Sequence, residues 1–219
     1  MVKLMITGRR RAGMTRAELS RHLRHVHGPM VVSSPPDAGA MPGGYVQNHV
    51  QDGVYPAGGL ERDFVTEVWF DTPDAARQSV MTPYYETVLR PDEPRFVNLA
   101  SVQRCFAMET VIVAGEPGTQ KAFLFWAGAA DFVPAWEAAR VAVSGTHPVR
   151  RWVANETRTM PGPAPLPYDG IDEIWLTDGA GGRPLFDAML ALLGDHADPA
   201  GCFFVTAEEF TTARLRAGS

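Results

Sequence analysis

Four histidines carry the most obvious capacity for proton transfer in this chain: His22, His25 and His27 in one short stretch, and His49 further on. An imidazole changes charge near neutral pH, so a placed histidine can act as general acid or base. On an extended strand Tyr45, Gln47 and His49 share one face, and Val46, Asn48 and Val50 take the other. A row of Tyr, Gln and His suits a pocket that orients a polar substrate and moves a proton; the alternative is a polar row at a wet sheet edge. The strand reads as central, which favours the pocket. His27 precedes Gly28-Pro29 and reads either as an acid/base group or as a cap on a helix C-terminus, where the dipole favours a cation. At α-helical pitch His22 and His27 fall on opposite flanks of the Leu19, Leu23 and Val26 stripe, and His25 points outward. Three ligands diverging in this way argue against a metal site.

Glu67 shares its strand face with Val65 and Trp69. Apolar neighbours disfavour a charged carboxylate and prepare it for acid/base work. The competing reading is a structural ion pair or hydrogen bond, because Glu173 recurs beside Trp175 in the same Glu-x-Trp step. Trp69 and Trp152 are candidate substrate contacts, Trp152 because it stands where Tyr45 stands in the first half. Trp126, Phe132 and Trp136 read as core. Composition assigns two charged runs, Arg9-Arg10-Arg11 and Arg90 to Phe96, to solvated turns and loops.

These residues sit on elements that occur twice. Lys3-Leu4-Met5-Ile6 is answered by Lys121-Ala122-Phe123-Leu124, Tyr45 to His49 by Trp152 to Glu156, and Phe64 to Asp71 by Gly170 to Thr177. Each half reads strand, helix, strand, strand, helix, strand, the ferredoxin-like order. Thr15 followed by Glu18 is a capping box opening the first helix. The second helix starts near Pro73 and breaks before Pro83; its counterpart from Pro184 stops at Gly194. Closing strands run from Ser101 to Val113 and from about Gly201 to Phe210. The halves are residues 1–113 and 121–219, with 114–120 as linker. Such a sheet has one face covered by helices and one bare, so the two sheets are expected to pack face to face as a barrel-like unit. The Pro- and Gly-rich stretches Ser33 to Gly44 and Pro161 to Pro167 read as long loops able to gate access.

Composition bounds the function. With 219 residues, 45% of them hydrophobic, the chain has material for a real core and is not disordered. A net charge of -5 argues against general binding to nucleic acid or anionic membranes. No apolar run is long enough to span a bilayer, and the first residues do not read as a signal peptide. Cys105 and Cys202 make no disulfide framework, which fits a cytoplasmic protein. Phosphate-cradling, dinucleotide and nucleophile-elbow motifs are missing, so chemistry without a cofactor is expected.

Four stretches together resemble the EthD domain: Arg21 to Pro29 with its His-Gly-Pro, Tyr45 to His49, Glu67 to Phe70, and Asp92-Glu93-x-x-Phe96. The resemblance covers roughly residues 1–113, and the second half looks like a diverged copy without His-Gly-Pro, His49 or the Asp-Glu run. It implies a dimeric α+β barrel, here built within one chain as a monomer or as a homodimer of such chains. It also implies that the Arg90 to Phe96 run helps close one end of the barrel. The related barrels include isomerases, cyclases and dehydratases, cofactor-free monooxygenases and haem-binding enzymes, so the site must decide among them. The expectation is a lyase, dehydratase or isomerase acting on a small aromatic or cyclic substrate. His49 would move the proton, His27 or Glu67 would be the second acid/base group, and Tyr45 and Gln47 would hold an oxygen. The rivals are a cofactor-free or haem-assisted oxidase and a non-catalytic module that binds a hydrophobic metabolite.

Overall fold

Thr15 opens the first helix as its spacing to Glu18 requires. Its hydroxyl accepts from the Glu18 backbone N–H at 3.2 Å, and the Glu18 carboxylate accepts from the Thr15 N–H at 2.8 Å. That helix belongs to a computed structural model describing residues 1–35, 42–57, 59, 61–118, 120–158, 168–177 and 182–213. Half of the Ser33 to Gly44 loop, residues 36–41, and all of Pro161 to Pro167 lie outside the described residues.

The strands are β1 (Val2–Gly8), β2 (Gly44–Val54), β3 (Phe64–Phe70), β4 (Gln103–Val113), β5 (Gln120–Trp126), β6 (Val149–Arg158), β7 (Gly170–Leu176) and β8 (Phe203–Ala213). The helices are α1 (Arg16–His22), α2 (Gly28–Val32), α3 (Pro73–Ser79), α4 (Glu93–Phe96), α5 (Phe132–Ser144) and α6 (Arg183–Leu193). The fold is α+β, with an antiparallel sheet whose hydrogen-bonded order β1-β3-β2-β8-β5-β7-β6-β4 closes as a barrel. By contacts the chain divides into two compact units. The first comprises Met1–His49, Arg62–Phe106 and the end from Phe210; the second comprises Val50–Glu61 and Ala107–Glu209.

In the first unit β3 pairs with both β1 and β2. Its register sets Lys3 against Trp69, Met5 against Glu67, and Val46 against Glu67. Strand alternation then sorts the side chains into two faces. One face holds a buried polar quartet: Lys3 Nζ lies 2.7 Å from Glu67 Oε1 and 5.0 Å from the Trp69 ring centroid, and Asn48 Nδ2 donates to Glu67 Oε2 at 2.8 Å. The other face meets α1 through a core of Leu19, Leu23, Phe64, Phe96 and Val97.

The second unit repeats this plan with different contents. Strand order there is β8-β5-β7-β6. Lys121 Nζ lies 3.1 Å from Glu173 Oε2 and 4.5 Å from the Trp175 ring, and Asn155 Nδ2 donates to Glu173 Oε1 at 2.8 Å. The Glu-x-Trp step recurs because each unit builds the same buried ion pair. On the helix-covered face α5 and α6 bury Trp136, Ala139, Val143, Leu185, Phe186, Met189 and Leu193, at the spacing of helical turns. Gly194, at φ +51°, ends α6. Among the described residues no helix is long and apolar enough to cross a membrane.

Candidate functional site

Tyr45, Gln47 and His49 line the face of β2 that meets α1, and all three are buried. His49, only 1% exposed, has Nδ1 hydrogen-bonded to Ser20 Oγ at 3.1 Å, and its ring meets Phe210 edge-on at 6.4 Å. Gln47 Nε2 donates to the Leu23 carbonyl at 2.8 Å and to the Tyr45 hydroxyl at 3.4 Å. A carbonyl only accepts, so this contact fixes which end of the amide is nitrogen. Gln47 Oε1 is left buried with no partner among the described residues. A buried polar atom without a partner costs free energy unless water or a ligand satisfies it. Burial pushes the Tyr45 hydroxyl up to about 12, so it stays a protonated donor at neutral pH. The row therefore presents a donor and an acceptor on the strand face that carries one imidazole.

A second cluster forms on the other flank of α1. His22 Nε2 lies 2.9 Å from Asp92 Oδ2, and His27 Nδ1 lies 3.1 Å from the same oxygen. Phe96 lies under both rings, with centroids 5.1 and 4.7 Å away. This corrects the expectation that His22 and His27 occupy opposite flanks. Five residues of α-helix turn through about 140° past a full circle, but Leu23–His27 is a π-helical turn, closed by the Gly28 N–H donating to Leu23 O. The wider turn returns the fifth residue towards the same face. Pro29 has no N–H to offer, which removes one α-type bond at this point.

The Asp92 to Phe96 run is not a solvated loop. Asp92 and Phe96 are buried, and Glu93–Phe96 is helical. Burial is the largest influence on the Asp92 carboxyl and pushes it up, but hydrogen bonds from His27 and His22 outweigh it and hold the group below its ordinary range. Arg10 likewise leaves the solvated turn assigned to it, because its guanidinium and backbone N–H both engage Asp63.

The structure separates the remaining candidates. Glu67 and Trp69 lie on the opposite sheet face from His49, committed to Lys3. Trp152 belongs to the second unit, where its indole N–H donates to Asp172 Oδ1 at 2.7 Å. Trp126 and Trp136 donate to Asp172 Oδ2 at 2.7 and 2.8 Å. Three indoles thus fill the face that carries the Tyr45 row in the first unit. His25 is exposed. Among the described residues no group of His, Cys, Asp and Glu is arranged to hold a metal ion.

Residues 11–100 match the model of the EthD domain family. That span is similar to an EthD domain. It contains both histidine clusters and the Lys3 partner Glu67. A structure described as an anthrone oxidase-like protein shares the fold at a TM-score of 0.63 and 8% identity, covering 100% of this chain and 96% of that one. A Fusobacterium nucleatum protein provisionally named a monooxygenase gives 0.55 at 6% identity, covering 100% and 95%. One provisionally named a chlorite dismutase gives 0.52 at 8% identity, covering 96% and 95%. At such identities the likeness is one of fold alone. No curated protein matches the chain.

Proposed function

We propose that this EthD-like chain is an enzyme performing acid/base chemistry, without a cofactor, on a small aromatic or cyclic substrate that carries both a hydroxyl and a carbonyl. The observation that supports it best is the buried Tyr45–Gln47–His49 row with its unpartnered Gln47 oxygen. The Tyr45 hydroxyl is a donor for a carbonyl or phenolate oxygen, Gln47 Oε1 accepts from a substrate hydroxyl, and His49 moves the proton between carbon and nitrogen. The reaction class is a lyase, dehydratase or isomerase step, because each needs a proton shifted beside a polarised carbonyl. Glu67 lies on the other face of the sheet and is left out of this proposal. Residues 1–113 and 121–219 are proposed as two ferredoxin-like repeats, the second keeping the buried Lys–Glu–Asn set but filling its helix-covered face with indoles; the strand orders β1-β3-β2 and β8-β5-β7-β6 support this reading.

The test follows a panel of cyclic hydroxy-ketones by proton NMR in heavy water, with and without oxygen. Conversion or deuterium uptake that is independent of oxygen is expected. Tyr45→Phe, which loses one hydrogen bond to the substrate, should raise KM about tenfold. Conversion that requires oxygen would replace this reading with an oxidase. Binding without any conversion would replace it with a metabolite-binding module.

A further inference from the structure

His22 and His27 converge on one oxygen of a buried carboxylate that carries its negative charge, and that fixes where their protons are. An ionised carboxylate only accepts, so His22 Nε2 and His27 Nδ1 must each be the protonated nitrogen of its ring. In the neutral imidazoles the lone pairs are then on His22 Nδ1 and His27 Nε2, and neither atom has a hydrogen-bond partner among the described residues. The two side chains are 17% and 13% exposed, whereas Asp92 is 2% exposed. The basic nitrogens therefore have access to solvent or ligand while the orienting charge is shielded. Arg95 Nη1 approaches the other Asp92 oxygen at 3.8 Å, and the neighbouring Glu93 is engaged by the Tyr85 hydroxyl at 2.5 Å.

Ser20, which holds His49, and His22 are two residues apart on α1. They lie about 200° apart round its axis, so the pair flanks α1 on the side away from Ser20. Its construction is costly to the helix: a π-helical turn replaces regular α-helix where the two rings must meet.

We infer that His22 and His27 form a paired acid/base unit whose working nitrogens are His22 Nδ1 and His27 Nε2, with Asp92 as the positioning residue that sets both tautomers. Each ring takes up a proton from an enolisable or phenolic small molecule and returns it, and the shared carboxylate stabilises the positive charge that develops. The role in turnover rests on the acid/base reading above; the tautomers do not.

Two measurements test it. Long-range nitrogen–proton correlation NMR of the free protein at pH 8 should show His22 as the Nε2–H tautomer and His27 as the Nδ1–H tautomer. This needs no substrate and stays readable if the proposed reaction is wrong. The second is a kcat-against-KM comparison on the converted hydroxy-ketone. Asp92→Asn and His27→Gln should each lower kcat about a hundredfold with KM changed less than about twofold. Asp92→Glu should recover part of that loss. Opposite tautomers would overturn the inference. So would variants that lose stability but keep kcat, since that marks a clamp between α1 and α4; in that case loss of turnover in His49→Ala would still uphold the proposed function.

Discussion

His49 and Glu67 are the proton-transfer candidates on neighbouring strands, and strand alternation sends them to opposite faces of the sheet. Their substitutions should therefore separate cleanly. Glu67→Gln removes the buried carboxylate that pairs with the Lys3 ammonium and is expected to cost about 3 to 5 kcal/mol in urea unfolding, with kcat unchanged. His49→Ala should do the reverse, keeping the fold and losing turnover. The Tyr45, Gln47 and His49 row was legible in the sequence because a period of two needs only an extended backbone. The Glu67 environment was only half legible. The pattern showed apolar neighbours on its own strand, but its partner Lys3 arrives from β1, where periodicity along β3 gives no view. The recurrence of Glu-x-Trp was the available signal, since a residue pair kept in both halves alongside a lysine at each opening strand marks a shared structural need.

The elements carry features that local pattern reading does not reach. Leu19, Leu23 and Val26 fit an α-helix, and nothing in their spacing announces the π turn; only the five-residue gap from His22 to His27, followed by Gly28-Pro29, hinted at it. Asp92 was hidden for another reason: a run of Arg, Asp, Glu and Pro looks solvated, and burial of its one key carboxylate is decided by α1 across the fold. Capping residues, by contrast, act locally, and Thr15 and Gly194 do what their types dictate. In the second unit the helix-covered face has become a closed core around Asp172. Burial pushes that carboxyl up to about 6 against an ordinary value of 3.8, in spite of Arg140 and the three indole donors. The folded chain thus holds a proton that the unfolded chain releases between those values, so its contribution to stability grows as pH falls from about 6 to about 4. Urea unfolding followed by tryptophan fluorescence should show this slope in wild type. Asp172→Asn, which cannot titrate, should flatten it, and Asp172→Leu should cost several kcal/mol at any pH by stranding three buried N–H groups.

At the scale of the whole molecule, the EthD match stops at residue 100 while the fold likeness covers the entire chain. The proposed repeat accounts for both: the buried Lys–Glu pairs recur in each unit, and the residues proposed for chemistry lie in only one. Each unit also carries one buried thiol, Cys105 in the first and Cys202 in the second. Burial pushes them up to about 12 and about 11, so both should resist alkylation at pH 8 in the native protein. Mass-spectrometric mapping of labelling against urea should then report the opening of each unit separately. Proton transfer by the buried row on β2 is tested by one measurement above others: deuterium incorporation from heavy water into a cyclic hydroxy-ketone, compared between wild type and His49→Ala of equal thermal stability. Incorporation at carbon is expected from the wild-type protein, with its loss, by at least about a hundredfold, in the variant. Equal incorporation by both proteins would contradict it.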